Sequence, residues 1–151
     1  ALRGRLEDVA GRVGARAAAP PGVRAGARRA LVEELEELLR PHLEWEERTV
    51  HPLVDKFACE GPAAFSASMR YEHRIIRRSL DELARSASAA DGAAADFTRR
   101  ADRLLGVVLA HFELEEEVLF PILDRTMSPQ ALRAHLGDAP APSGGPAGAG
   151  G

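Results

Sequence analysis

The sequence has few of the features that define several classes of protein. Cys59 is the only cysteine among 151 residues, which excludes an internal disulfide framework and is typical of a reducing, cytoplasmic setting. No apolar run approaches the length of about 18 residues that a membrane-spanning helix needs, and no export-signal core is found. We therefore expect a cytoplasmic protein that neither spans a membrane nor carries an export signal.

An excess of charge of one sign is also missing. The formal net charge is −3, from 20 basic and 23 acidic residues, and the arginines are scattered along the chain. This balance gives no support for binding to nucleic acids or other polyanions. The sequence has no glycine-rich phosphate loop, nucleophile elbow or Cys-x-x-Cys motif. Neither a substrate nor a protein partner follows from its composition.

Strand-type alternation is absent, and helical periodicity dominates the chain. We predict four long amphipathic helices, at about residues 2–18, 23–57, 63–88 and 96–125. Ser128 and Pro129 are the residue types that begin a helix, so a short fifth helix should follow. Long helices with short loops predict an all-α, up-down-up-down four-helix bundle over residues 1–136. Residues 137–151 are rich in glycine, proline and alanine, so we expect a flexible tail there.

Two prolines fall within the second predicted helix. A bend is expected near Pro41, and an end or a kink at Pro52, because proline removes a backbone hydrogen bond and clashes with the preceding turn. In the fourth helix an inward-facing stripe is predicted to consist of Leu104, Val108, His111, Glu115, Val118 and Ile122.

Two segments of the chain share an unusual pattern. HLEWEERTVHPLV begins at His42 and HFELEEEVLFPIL begins at His111; in each, a glutamate follows the histidine after four residues and a proline after ten. Residues four apart lie on one face of a helix, and here it is the apolar face. Because an ionisable group is costly to bury without a partner, the two pairs predict an inward-facing metal site in the bundle.

The predicted metal ligands are His42 and Glu46, His73 on the third helix, and His111 and Glu115. Imidazole suits iron, zinc, copper and nickel, while carboxylates can bridge two cations. His73 and His111 would serve one ion, and His42 the other. Since the carboxylates must be ionised and the imidazoles neutral, metal binding should weaken at acid pH.

Each residue also has an alternative interpretation. A single inward histidine is more often a satisfied core residue, and a glutamate in an acidic run is usually solvated. We expect Glu47 and Glu116 to be solvated, with a contact to a ligand residue as the alternative. A metal-free helical interaction module is therefore an alternative, but it would leave the inward glutamates without partners. His51 follows His42 by nine residues, about two and a half turns, and is expected to miss the ligand cluster.

The first predicted helix lacks a histidine. Its stripe, made of Leu2, Leu6, Val9 and Val13, repeats the intervals of the residues that follow His73. The counterpart of His73 would then lie two residues before Ala1. We expect that a fourth histidine was lost upstream; its genuine absence is the alternative.

The two runs quoted above resemble the signatures of the hemerythrin-like (HHE) cation-binding family, and YEHRIIRRSLDEL resembles the region of its third-helix histidine. The resemblance covers about residues 2–136. It implies a non-heme centre of two iron ions, bridged by Glu46 and Glu115 and by a solvent-derived oxo or hydroxo group, with zinc or manganese as possible substitutes. The chain departs from oxygen-carrying members at Arg77, where they have another histidine.

The resemblance leaves several functions open. One is a di-iron protein that binds or senses O2 or NO, or that handles iron. Another is a di-iron oxygenase, or a peroxidase- or catalase-like enzyme acting on peroxide. Arg77 weakens the case for a simple reversible oxygen carrier.

Overall fold

The computed structural model describes residues 2–15, 21–57, 62–88, 94–138 and 140. All regular elements within these ranges are helical. They are α1 (Leu2–Ala15), α2 (Pro21–Arg48), α3 (Val50–Phe57), α4 (Pro62–Ala87), α5 (Ala94–Leu114), a π-helical turn (Glu115–Leu119), α6 (Phe120–Thr126) and α7 (Pro129–Leu136). In these ranges no helix has the length and hydropathy to cross a membrane.

The long helices form a bundle in which α4 packs against α2 and α5, while α1 packs against α5 and α2. The prediction of an all-α helical bundle is thus confirmed, whereas the up-down-up-down order stays a prediction. The buried apolar side chains form two clusters. One includes Leu35, Leu80 and Leu104, and the other includes Val50, Met69 and Leu119. His73 lies on α4 between Met69 of one cluster and Ile76 of the other, so polar groups near His73 lie where the two apolar clusters meet.

The second predicted helix is interrupted at one residue. Helix α2 is unbroken at Pro41 and ends at Arg48, and α3 begins at Val50. The intervening Thr49 keeps two bonds to the carbonyl of Trp45, from its N–H at 2.9 Å and its hydroxyl at 2.7 Å. The interruption expected at Pro52 therefore falls three residues earlier, because Pro52 has no N–H to continue the α-helical ladder.

The fourth predicted helix widens into the π-helical turn at Glu115. The Phe120 N–H donates to the carbonyl of Glu115, five residues back, and Pro121 has no N–H for the next bond. The wider turn delays the buried stripe by one residue. The prediction of an inward Val118 was wrong, since this side chain is 38% exposed, while Leu119 and Leu123 are fully buried and Ile122 is only partly so.

The short C-terminal helix α7 forms where it was predicted. Ser128 accepts a hydrogen bond from the N–H of Ala131 at 3.2 Å, and α7 ends at Gly137, whose φ is 60°. The indole Nε1–H of Trp45 donates to the carbonyl of Leu136 at 3.0 Å, which fastens the end of α7 to α2. Of the predicted tail, residues 139 and 141–151 lie outside the described residues.

Candidate metal centre

The five predicted ligands come together from three parts of the bundle. Helix α2 supplies His42 and Glu46, α4 supplies His73, and the junction of α5 with the π-helical turn supplies His111 and Glu115. The side chains of His73 and His111 are fully buried, those of Glu46 and Glu115 nearly so, and that of His42 is 18% exposed. The apolar stripes of the helices thus carry these ionisable groups into the interior.

Glu46, His73 and His111 form a first ligand set, whose donor atoms all lie within 4.8 Å of one another. His73 Nε2 is 3.1 Å from Glu46 Oε2, and His111 Nε2 is 3.7 Å from the same oxygen. The two Nε2 atoms are 3.1 Å apart. Two imidazoles and one carboxylate therefore converge on one point.

His42, Glu46 and Glu115 form a second ligand set under the same distance limit. His42 Nε2 lies 2.6 Å from Glu46 Oε1, so each oxygen of Glu46 faces a different set. Glu115 Oε1 lies 3.4 Å from His111 Nε2 and so approaches the first set too. Glu46 is therefore positioned to bridge two cations, with Glu115 beside it.

Hydrogen bonds outside the two sets fix the orientation of the inner imidazoles. His73 Nδ1 lies 2.9 Å from Glu47 Oε1, and His111 Nδ1 lies 2.8 Å from Glu72 Oε2. A carboxylate accepts, so each Nδ1 carries the proton, and in the neutral ring each Nε2 then presents a lone pair. Two such lone pairs facing each other beside a carboxylate repel unless a proton or a metal cation lies between them.

The innermost carboxylate oxygens also lack ordinary partners. Both oxygens of Glu46, and Oε1 of Glu115, are buried and make no contact of hydrogen-bond geometry among the described residues. Imidazole nitrogens lie 2.6 and 3.1 Å from the Glu46 oxygens, so Glu46 has close neighbours but no well-formed hydrogen bond, and a buried group left unsatisfied costs roughly 1–3 kcal/mol. The donor set of imidazole nitrogens and carboxylate oxygens therefore fits bound cations, which would satisfy these atoms.

The two inward glutamates have opposite shifts of pKa. Burial alone would raise the pKa of Glu46, but its contacts with His111, His42 and His73 outweigh burial and hold that pKa well below its usual range. Burial, and then the negative charge of Glu46, raise the pKa of Glu115. Without metal, Glu46 is thus the ionised member of the pair and Glu115 the protonated one.

The comparison with known families agrees with this donor set. The family model of the hemerythrin HHE cation-binding domain matches residues 1–123. The chain belongs to this family. It has no match among curated proteins or among solved structures. The HHE domain is therefore a cation-binding unit, and in this chain its inward histidines and glutamates offer the ligand atoms.

Two carboxylates bind the inward histidines; sequence reasoning gave such a role to Glu47 only as the alternative and did not name Glu72. Glu47 was expected to be solvated, but it binds His73 and is held by Arg77, with Nη1–Oε1 at 2.6 Å and Nη2–Oε2 at 3.1 Å. Glu72 precedes His73 in sequence, yet it binds His111 on another helix. Arg77 lies one turn after His73, so the sequence could have predicted a carboxylate such as Glu47 between them. No sequence pattern indicated that Glu72 would bind His111.

Two further histidine positions were predicted to lie outside the cluster or before the chain. His51 lies in neither ligand set, but its ring centroid is only 4.9 Å from that of His73, and it is 1% exposed. Burial, and then the nearby His73, lower the pKa of His51 to about 4. The position expected for a first-helix counterpart of His73 would precede Ala1, so it falls outside the described residues.

Aromatic side chains hold His42 from two sides. Its ring stacks on Trp45 with centroids 5.8 Å apart, and meets the edge of Phe112 at 5.3 Å. These contacts restrict the rotation of the one ligand that reaches the protein surface.

Proposed function

We propose that this HHE domain holds a non-heme centre of two iron ions and that it binds or senses O2 or NO, or handles iron. The observation that carries the proposal is the position of Glu46, which offers one oxygen to each of two ligand sets. A carboxylate placed in this way suits a pair of metals better than a single one.

In this proposal the residues have distinct roles. His73 and His111 would hold one iron, His42 would hold the other, and Glu46 and Glu115 would be shared by the two; all five belong to the two ligand sets. Bound iron would supply coordination positions at which a diatomic molecule could attach. The protein supplies orientation, through Glu47 and Glu72, and a dry surrounding, because the two apolar clusters meet at the site. Zinc and manganese also fit these donor atoms.

Metal content and optical spectrum of the freshly purified protein test this function. We expect two irons per chain, near-ultraviolet charge-transfer absorption, and a spectrum that changes with O2 or NO without turnover. His135→Ala is the matched control, because this histidine is exposed and should leave metal content unchanged. Steady consumption of peroxide or O2 would instead support an oxygenase or peroxidase-like enzyme.

Thermal unfolding gives an independent test. A ligand that binds only the folded state stabilises it by about 2.7 kcal/mol at 100 times its dissociation constant, so a chelator should lower the midpoint temperature and iron should restore it. Purified protein without bound metal, and with a midpoint insensitive to both, would point to the metal-free interaction module.

A further inference from the structure

His51 lies inside the bundle, next to the metal centre but outside both ligand sets. It is 1% exposed, and its ring is tilted by 38° to that of His73, with centroids 4.9 Å apart. The neighbouring buried residues of α3 are Val50, Leu53 and Val54, which cannot hydrogen-bond through their side chains. His51 is thus a polar ring at an otherwise apolar junction of α3 with α4.

Neither ring nitrogen of His51 is satisfied. Both nitrogens are buried and have no hydrogen-bond partner in the part of the chain that the structure describes. A neutral imidazole carries one N–H and one lone pair, and leaving either unpaired in the interior is costly. Apolar side chains of similar size would fill this position without that cost, so the nitrogens indicate a partner that is not among the described residues.

A second orphaned group lies on the same helix face as His73. Ser66, seven residues earlier on α4, is 1% exposed, and its hydroxyl also lacks a hydrogen-bond partner among the described residues. Between these turns, Arg70 of α4 pairs with Asp55 of α3, with Nη2–Oδ2 at 3.0 Å. This ion pair is partly exposed, with side chains at 41% and 36%, whereas Ser66 and His51 are buried polar groups on these two helices.

A cation held by the first ligand set would have coordination positions that the protein does not fill. The set offers three protein donor atoms, and a transition metal with three protein ligands keeps open positions for small molecules. His51 is not a fourth member of this set, because its nitrogens do not lie within 4.8 Å of all the donor atoms of Glu46, His73 and His111. Because the ring centroids of His51 and His73 are 4.9 Å apart, a ligand that contacts both the cation and His51 must be small.

We propose that His51 is a binding residue for a small ligand of the cation held by Glu46, His73 and His111, and that its ring N–H donates a hydrogen bond to an oxygen or nitrogen atom of that ligand. The ligand is a diatomic molecule or a small anion. This inference rests on the proposed function as far as a metal is bound, but it does not depend on the metal being iron.

Azide binding to the cobalt(II)-loaded protein tests the role of His51. In His51→Leu we expect the cobalt content to stay unchanged and the dissociation constant of azide to rise about tenfold, the effect of losing one hydrogen bond to a charged group. His51→Gln keeps an amide donor and should recover part of the affinity. Met69→Leu, a substitution of similar volume in the adjoining cluster, should bind azide like the wild type.

Stability of the metal-free protein separates a ligand-binding role from a structural one. Because the two nitrogens of His51 lack hydrogen-bond partners among the described residues, His51→Leu should unfold at the same temperature as the wild type or higher. A midpoint several degrees lower would show that His51 holds the fold together and would overturn the proposal.

Three other results would also overturn it. The first is equal azide affinity in His51→Leu and the wild type. The second is loss of cobalt from His51→Leu, which would make His51 a metal ligand. The third is failure of the wild-type cobalt protein to bind azide. Iron content of the protein as isolated reports on the proposed function separately, so the two failures are distinguishable.

Discussion

The two His–Glu pairs have the same spacing in sequence but different surroundings in the structure. In the first pair, on the continuous helix α2, His42 Nε2 lies 2.6 Å from Glu46 Oε1. In the second pair, Glu115 begins the π-helical turn, and its Oε1 lies 3.4 Å from His111 Nε2. Glu46 meets imidazoles from three helices, whereas Glu115 meets one and faces another carboxylate.

This difference shows what a repeated pattern can and cannot specify. Spacing places both pairs on the inward face of a helix, so both reach the interior. The charge that each carboxylate carries depends on the groups that other helices bring to it. Glu46 is therefore predicted to be indispensable for both ions, and Glu115 for one.

The largest effect should come from Glu46→Ala. It removes the only residue shared by the two ligand sets, and loss of one partner of a buried charged group costs roughly 3–5 kcal/mol. We expect metal affinity to fall by on the order of 10²–10³-fold and metal content to approach zero, as measured by elemental analysis after dialysis. Wild-type loading in this variant would contradict the bridging assignment.

Glu115→Ala should have a smaller effect and would break the apparent equivalence of the pairs. It removes a member of the second set but leaves Glu46, His73 and His111 intact. The paired centre should be lost while one cation per chain remains, measured as metal content together with the loss of the near-ultraviolet absorption. Complete loss of metal, equal to that of Glu46→Ala, would show that the two carboxylates act alike.

A third test compares Glu47 with Glu116, which stand at matching places in the two segments. Glu47 binds His73, while Glu116 is 49% exposed and pairs with Arg3. Loss of a carboxylate that orients a ligating histidine typically costs 10–100-fold in metal affinity. Glu47→Gln should therefore weaken metal binding by about this factor, and Glu116→Gln should not, in competition titrations with a chromogenic chelator. Equal affinities in the two variants would remove Glu47 from the site.

The smallest effect concerns the stability of the metal-free protein. In the folded protein the pKa of Glu115 is raised above its usual value of 4.5. At a pH between 4.5 and the raised pKa, Glu115 is therefore ionised in the unfolded chain but still protonated in the folded one. Stability therefore falls as pH rises through this window. Glutamine has no proton to release, so Glu115→Gln should match the wild type near pH 4 and exceed it at pH 8 by about 1–3 kcal/mol.

Urea unfolding of the two metal-free proteins, measured from pH 4 to pH 8, checks this expectation. Glu46 has a lowered pKa and contributes stability that is lost as pH falls, but it is present in both proteins and cancels in the difference. A difference in free energy of unfolding that does not change with pH would mean that Glu115 is not protonated in the folded state.

The sequence by itself determined the helical class, the apolar stripes and the family. Helical periodicity, the prolines and the two His–Glu spacings are local properties, so they predict which residues face inward without knowledge of the partner helices. The cap at Ser128 and the C-terminal helix that follows it were predictable for the same reason. The choice of the five candidate ligands also followed from local pattern, although their role in binding metal stays a prediction.

Only the tertiary structure decided the details that set the chemistry. The π-helical turn moved the buried stripe from Val118 to Leu119, because the helix end adjusts to packing and to Pro121 rather than to periodicity alone. The opposite shifts of Glu46 and Glu115, the hydrogen bond from His111 to Glu72, and the burial of His51 against His73 all join residues on different helices. Electrostatic effects act through space, so residues distant in sequence settle the protonation of a buried group.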